Sequence, residues 1–176
     1  DIESTDWLCL SPEAVRAAIT PQTKAIMVVH YAGYPCDMPT ILEIARQHHL
    51  VVIEDAAHAV GAALEGKALG TWGDIGCFSF FGNKNLTTGE GGMLLTQDDQ
   101  LAEKLQRLRS HGMTTLTWDR ARGHASTYDV VASAITTALM TFARLWAGCS
   151  CKKSPLGMPA GKAPSGSIAS CWLPRR

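Results

Sequence analysis

Short apolar runs alternate with amphipathic segments in the first half of the chain, and this alternation constrains the fold more than any other feature. The run from Lys24 to His30 predicts a buried strand, and the amphipathic segment from Asp37 to about His48 predicts a helix. Leu50 to Ile53 predicts a second buried strand, ending at Glu54-Asp55. Because the two strands are joined through a helix, the unit predicts a parallel pair with a right-handed crossover.

Further elements follow the same pattern. Ser11-Pro12-Glu13 predicts the start of a helix, because serine caps helices and proline suits the first helical position. Ile75 to Phe81 and Met93 to Thr96 predict strands, and Asp98 to about Arg109 predicts an amphipathic helix. The predicted fold class is therefore α/β, with a mostly parallel sheet and flanking helices. In such sheets ligands bind at the carboxyl ends of strands, where Asp55 lies.

The composition excludes several classes of protein. The 176 residues carry a formal net charge of +0, which argues against a nucleic-acid binder. The longest apolar stretch, from Ala132 to Gly148, contains Arg144, so no membrane span is expected. The first residues lack the pattern of a signal peptide and an initiating Met, so we expect a cut N-terminus. The six scattered cysteines predict reduced thiols and a cytoplasmic protein.

Taken singly, the polar residues at the predicted strand ends have ordinary explanations. Asp55 can cap a turn, His58 can be a partly buried polar residue, and Lys84 can be a solvated lysine. Glu54 and His58 lack a third metal ligand, so no metal site is predicted. Neither a Gly-x-x-x-x-Gly-Lys-Ser/Thr phosphate loop nor a Gly-x-Gly-x-x-Gly motif is present, which argues against ATP and NAD.

Taken together, the same residues suit pyridoxal phosphate. This cofactor needs a lysine amine that holds it as an imine, and Lys84 can supply it. It also needs a carboxylate that keeps its pyridine nitrogen protonated, a role open to Asp55. Ser79 or Asn85 can donate hydrogen bonds to the phosphate.

An ordered set of motifs is similar to one family over roughly Asp1 to Val131. The motifs are Val29-His30-Tyr31-Ala32-Gly33, Glu54-Asp55-Ala56-Ala57-His58-Ala59, Gly70-Thr71-Trp72-Gly73-Asp74, Phe78-Ser79-Phe80, Lys84-Asn85, Thr88-Gly89-Glu90-Gly91-Gly92 and His111-Gly112. In this order they closely resemble the DegT/DnrJ/EryC1/StrS aminotransferases, the sugar-nucleotide branch of the fold-type I pyridoxal-phosphate enzymes.

The resemblance implies a transaminase that moves an amino group, usually from glutamate, onto a keto sugar carried by a nucleotide. It implies that Lys84 is the imine lysine and proton carrier, and that Asp55 is the partner of the pyridine nitrogen. His58 matches a Gln or His beside the ring, and Ser79 matches a phosphate contact. The family also implies a homodimer, in which an Asn from one subunit reaches the cofactor phosphate of the other.

The chain departs from the family at both ends. The family's chains are about twice as long, and the segment that would precede Asp1 holds a Gly-Thr turn for the phosphate and a residue that stacks on the ring. All 16 acidic residues lie between Asp1 and Asp129, whereas six Lys or Arg follow Ala132. Read one base late, codons for the family's Gly-Tyr-Asn-Tyr-Arg spell the Ala-Ile-Thr-Thr-Ala of Ala134–Ala138. We therefore predict one base lost near Ala132–Ser133.

The predicted organisation is part of a pyridoxal-phosphate-binding large domain over residues 1–131 and a frameshifted, disordered tail over residues 132–176. The predicted function is a pyridoxal-phosphate-dependent aminotransferase of nucleotide-linked keto sugars, here as a fragment. The alternative is a truncated product without catalysis that binds the cofactor weakly at most. A related dehydratase is a third possibility, but family dehydratases typically carry His in place of the imine lysine, and this chain carries Lys84.

Overall fold

The computed structural model describes residues 1–114, 121–123, 127 and 129–133. Within these residues the chain forms α-helices, strands and one short 3-10 helix at Tyr31–Gly33. The helices are α1 (Pro12–Ala18), α2 (Met38–Gln47) and α3 (Asp99–Leu108). The strands are β1 (Ala25–Val29), β2 (Val51–Asp55), β3 (Ala63–Leu64), β4 (Lys67–Ala68), β5 (Ile75–Ser79) and β6 (Gly92–Leu95).

Four of the strands form the main sheet, in the order β1-β2-β5-β6. β1, β2 and β5 are parallel, and β6 is antiparallel to β5. Val29 lies opposite Asp55, which in turn lies opposite Cys77, so these three residues form one row across the sheet. The predicted mostly parallel α/β sheet is confirmed.

Side-chain caps begin the helices where the sequence predicts them. The Ser11 hydroxyl accepts a hydrogen bond from the Ala14 amide at 3.3 Å. The Asp37 carboxylate accepts one from the Thr40 amide at 3.1 Å. Each cap pairs an amide that has no partner within its own helix, so each helix starts at the residue after its cap.

The core lies on one side of the sheet, between the sheet and helices α1 and α2. β1 and β2 alternate, with every second side chain buried. The residues buried on this side include Val15, Ile26, Val28, Met38, Ile41, Ile44, Ala45 and Val52. The other side of the sheet is open in the described part of the chain, and Met27 there is 61% exposed.

All four strands of the main sheet have boundaries that differ by one or two residues from the sequence prediction, and β1 is Ala25–Val29 rather than Lys24–His30. β2 continues through Glu54 and Asp55, because both residues pair with β1 and β5. β5 ends at Ser79 rather than Phe81, because the chain turns there into a loop. β6 begins at Gly92, one residue earlier than predicted.

The hairpin of β3 and β4 was not predicted. Its strands have two residues each, too few to show a period of two. Glu65 and Gly66 turn the chain with positive φ values of 51° and 77°. Glu is uncommon at a position with a positive φ, so the turn of this hairpin was hard to recognise from the sequence.

The predicted tail lies almost entirely outside the described residues, which include only Ala132 and Ser133 of residues 132–176. None of the described helices has the length and apolar character that crossing a membrane requires.

Candidate cofactor-binding site

Asp55 is the last residue of β2, at the carboxyl end of the parallel strands. Its side chain lies on the open side of the sheet, because the neighbouring Val52 and Glu54 alternate into the core. Oδ1 accepts a hydrogen bond from the Ala57 amide at 3.0 Å. Within the described residues Oδ2 accepts none. One carboxylate oxygen is therefore held by the turn after β2, and the other remains for a ligand.

Cys77 is a neighbour of Asp55 that the sequence did not single out. It lies opposite Asp55 in the sheet register and on the same side. Burial, together with the negative charges of Asp55 and Glu54, raises the pKa of the Cys77 thiol. The thiol therefore stays protonated near neutral pH and adds no charge beside Asp55. Its place was detectable only once the pairing of β2 with β5 was known.

Ser79 ends β5 two residues beyond Cys77, on the same side of the sheet. Its Oγ accepts a hydrogen bond from the Phe81 amide at 3.3 Å. A hydroxyl that accepts from an amide still has its own proton to donate. Ser79 can therefore donate a hydrogen bond to an anion at this end of the sheet.

Lys84 and Asn85 lie on the loop of residues 81–91, which joins β5 to β6. Backbone hydrogen bonds close this loop at its base: the Phe80 amide donates to the Gly91 carbonyl at 2.8 Å, and the Thr88 amide donates to the Phe80 carbonyl at 2.9 Å. Gly89 has a φ of +82°, which a residue with a side chain rarely adopts. The loop thus leaves the sheet and returns beside Ser79.

Within that loop, Lys84 is half-buried and Asn85 is exposed. The Lys84 amide donates to the Phe81 carbonyl at 3.0 Å, which fixes its backbone in a turn. In the described part of the chain Nζ of Lys84 has neither a hydrogen bond nor an ion pair. The amine is therefore available to an electrophile.

His58 lies in the turn that follows β2. Its Nδ1 accepts a hydrogen bond from the Ala32 amide at 3.4 Å, and its ring meets the Tyr31 ring edge-on with centroids 6.1 Å apart. A Cβ on Gly33 would lie 3.1 Å from the His58 carbonyl oxygen, so the turn after β1 packs closely on the turn after β2. The ring is exposed, which leaves Nε2 free to meet a ligand.

A second acidic residue, Glu54, is fully buried on the opposite side of the sheet from Asp55. Its Oε2 accepts hydrogen bonds from His30 Nε2 at 3.0 Å and from the Gly70 amide at 2.7 Å. Its Oε1 accepts from the Trp72 amide at 2.6 Å and the Gly73 amide at 2.7 Å. Four donors therefore surround this carboxylate.

The protonation of this buried pair follows from its hydrogen bonds. The Cys36 amide donates to His30 Nδ1 at 3.2 Å, so Nδ1 carries no proton and Nε2–H donates to Glu54. Burial raises the pKa of Glu54, but the hydrogen bonds from His30, Gly73 and Gly70 outweigh it and hold the pKa below its ordinary value. Glu54 is thus a buried carboxylate fixed in place.

The structure brings most of the predicted site residues to one end of the sheet. Asp55 and Ser79 end neighbouring parallel strands on the same side, and Lys84 and Asn85 lie on the loop that leaves that end. His58 lies in the turn after Asp55. Pyridoxal phosphate requires a carboxylate, an amine and a hydrogen-bond donor for its phosphate, and among the described residues Asp55 has an oxygen without a partner and Lys84 an amine without one. The residues present therefore fit this cofactor.

Solved structures of sugar aminotransferases share this α/β fold. The structure of DesI in the presence of its TDP-sugar product matches this chain with a TM-score of 0.72 and 30% identity. The match covers 86% of this chain and 36% of that one.

The chain belongs to the DegT/DnrJ/EryC1/StrS aminotransferase family, whose sequence model matches residues 1–145. It is 60% identical over 104 residues to GDP-perosamine synthase of Caulobacter vibrioides, which covers 59% of this chain. It is 48% identical over 125 residues to the UDP-N-acetyl-3-dehydro-alpha-D-glucosamine 3-aminotransferase of Acidithiobacillus ferrooxidans, which covers 70% of this chain. The match spans only 28% and 34% of these two relatives. The predicted family is confirmed, and the family depends on pyridoxal phosphate.

Proposed function

We propose that this chain is part of a pyridoxal-phosphate-dependent enzyme that transfers an amino group from glutamate to a keto sugar carried by a nucleotide. The names of two relatives support the substrate class, because one acts on a UDP-linked 3-dehydro sugar and another makes a GDP-linked sugar. The family supports the reaction class. The choice of glutamate rests on the resemblance described above.

The observation that carries this proposal is that Asp55 and Lys84, whose amine has no partner within the described residues, lie at the same end of the sheet. When bound, pyridoxal phosphate supplies an electron sink for the exchange of an amino group. We assign Lys84 as the residue that holds the cofactor covalently and carries protons. Asp55 keeps the pyridine nitrogen protonated through the carboxylate oxygen that has no partner within the described residues.

The remaining site residues bind and orient the cofactor in this proposal. The Ser79 hydroxyl donates to the phosphate, and Asn85, on the loop of residues 81–91, is a second donor. His58 lies beside the ring, held by the Ala32 amide. The assignment of residues 1–131 to the large domain, the homodimer and the cytoplasmic location stay predictions of the same proposal.

The test is whether Lys84 alone among the lysines captures the cofactor. Pyridoxal phosphate added to the purified chain should give a yellow absorption band, and borohydride reduction followed by peptide mapping should place the cofactor on Lys84. The Lys84→Ala variant should lose the band. Lys104→Ala, on the exposed face of α3, is the matched control and should keep it.

The alternative is a chain that catalyses nothing and binds the cofactor weakly at most. The match covers only 28% and 34% of two relatives, which supports considering this alternative. A chain that gives no Lys84-dependent band, or a band without amino transfer from glutamate, supports this alternative.

A further inference from the structure

We propose that the buried pair of Glu54 and His30 positions the two ligand-facing residues Asp55 and His58. The inference rests on the proposed function, because those two residues matter through the cofactor they would contact. Glu54 and His30 themselves lie on the core side of the sheet and touch no ligand. They act as positioning residues.

The first step of the argument is the link between Glu54 and Asp55. Glu54 is 0% exposed and receives four hydrogen bonds, three of them from backbone amides of residues 70–73. A side chain held by four donors holds its own backbone in place. The next residue along that backbone is Asp55, whose side chain projects to the opposite side of the sheet. The position of Glu54 therefore fixes the point from which the Asp55 carboxylate reaches the ligand.

The second step is the link between His30 and His58. The His30 ring is held at both nitrogens, by Glu54 on one side and by the Cys36 amide on the other. Its amide donates to the Asp55 carbonyl at 3.1 Å, and its carbonyl accepts from the Gly33 amide at 3.1 Å. These bonds fix the turn of residues 31–33, whose Ala32 amide holds the His58 ring.

The pair of Glu54 and His30 therefore connects the ends of β1 and β2 on the core side of the sheet. A pair of apolar side chains would fill the same space without the cost of burying a carboxylate. Such a pair would not define the orientation of either strand end, because apolar contacts have no direction. Directional bonds explain why a carboxylate is placed next to Asp55 and inside the core.

Variants of Glu54 and of His30 test the links to Asp55 and to His58. Glu54→Gln removes the charge and turns the NH2 group of the amide towards two donors, because each carboxylate oxygen accepts two hydrogen bonds. His30→Asn keeps an acceptor for the Cys36 amide but removes the donor to Glu54, and leaves Glu54 its three backbone donors. Glu43→Gln is the control, because Glu43 is an exposed residue of α2 whose ion pair with Arg46, at 3.2 Å, lies outside the site.

The first readout is millisecond hydrogen–deuterium exchange of the 176-residue chain, at a concentration where it is monomeric. The amides of Ala32 and Ala57 report the bonds to His58 and Asp55. We expect both to exchange about tenfold faster in Glu54→Gln and His30→Asn. The amides of Gln100 and Leu101, which Asp98 caps, should keep their rates and serve as the internal reference.

A different pattern of exchange would contradict the positioning role. Unchanged exchange at Ala32 and Ala57, with faster exchange only at Gly70, Trp72 and Gly73, would show that Glu54 merely ties down the loop of residues 70–73. If Glu54→Gln loses protection throughout, including at Gln100, His30→Asn decides by the same criterion.

The second readout is the dissociation constant for pyridoxal phosphate, measured by the Lys84-dependent absorption band. We expect a rise of about tenfold in both variants and no change in Glu43→Gln. An unaltered dissociation constant in both variants would overturn the proposal. Absence of the band from the unaltered chain would count against the proposed function, whereas the exchange rates would still judge the positioning role.

Discussion

At the scale of single residues, a substitution can remove the charge of Asp55 and still keep the hydrogen bond by which Asp55 supports the fold. Asn in place of Asp keeps an oxygen that accepts from the Ala57 amide, at 3.0 Å in the present structure, but removes the negative charge. We expect Asp55→Asn to change the free energy of unfolding by less than about 0.5 kcal/mol. The rate at which glutamate discharges the yellow band should fall about 10²-fold, as when one preorganised electrostatic contact is lost.

Thermal unfolding and absorbance kinetics check both parts of this prediction. Asp37→Asn is the matched control, because Asp37 also accepts a backbone amide but caps α2 instead. Asp55→Asn reacting at the unaltered rate would remove Asp55 from its assigned role.

The lowered pKa of Glu54 predicts how the free energy of unfolding depends on pH. Its pKa is lower in the folded chain than the ordinary value of about 4.3, which applies to the unfolded chain. The folded state therefore binds the proton less readily, and the stabilisation from Glu54 is present above about pH 4.3 and is lost as the pH falls through the folded pKa. Denaturant unfolding at a series of pH values should show this loss.

Glu54→Gln should lower the free energy of unfolding by about 3 kcal/mol at neutral pH, because buried donors lose their charged partner. The same variant should show a flatter pH dependence in the acid range. Glu43→Gln should follow the unaltered chain. If the free energy of unfolding of Glu54→Gln falls as steeply at acid pH as that of the unaltered chain, the pH dependence comes from other carboxylates.

The residues of the site were predictable to different degrees. Asp55, Ser79 and Lys84 were predicted from motifs, and the position of Asp55 at a strand end follows from the apolar run before it. The position of Ser79 at the end of β5 does not, because the predicted strand ran on to Phe81. The pairing of His30 with Glu54 was not predictable from the sequence, because 24 positions separate the two residues and only the parallel register brings them together. A polar residue at the end of each of two neighbouring buried strands was the only available signal.

At the scale of elements, the close approach of the loop of residues 70–73 to β5 depends on a missing side chain. A Cβ on Gly76 would overlap the carbonyl oxygen of Gly70. Gly76→Ala should push this loop away from Glu54 and lower the free energy of unfolding by about 2 kcal/mol. Gly82→Ala is the control, because its Cβ would lie 3.8 Å from the nearest atom, the Gly89 carbonyl oxygen.

Chemical denaturation of both glycine variants measures the difference. Equal stability of Gly76→Ala and Gly82→Ala would mean that the loop can move without loss. The cofactor band should weaken in Gly76→Ala as well, because Glu54 loses donors.

Element types were largely predictable, and boundaries less so. β1, α2 and β2 follow from apolar periodicity and the Asp37 cap, which are local properties of the chain. The end of β5 depends on how the loop of residues 81–91 closes, through bonds from Phe80 to Gly91 and Thr88. Such tertiary contacts leave no periodic signal in the sequence.

At the scale of the whole molecule, the open side of the sheet determines how the isolated chain behaves. Met27, Val29 and Val51 lie on this side and are 61%, 43% and 42% exposed. Exposed apolar side chains that lie together on one face of a sheet favour association between proteins. We expect the 176-residue chain to self-associate as its concentration rises, which sedimentation velocity would reveal.

Met27→Lys should shift this association to higher concentration, because it places a charge within the surface. Lys24→Gln, just before β1 and away from the row of Met27, should leave it unchanged. Association that responds equally to both variants would place the contact elsewhere.

The closed base of the loop of residues 81–91 has a consequence for how such enzymes diversify. Backbone bonds at Phe80 and Phe81 hold this loop to the strand end, together with a side-chain bond from the Thr87 hydroxyl to the Phe80 carbonyl at 3.1 Å. In the described part of the chain the Lys84 side chain takes part in none of these bonds, so it can change without disturbing the strands. In the proposed function Lys84 supplies the reactive amine. We therefore expect a replacement at position 84 to change the chemistry of the site while the scaffold around it keeps its fold.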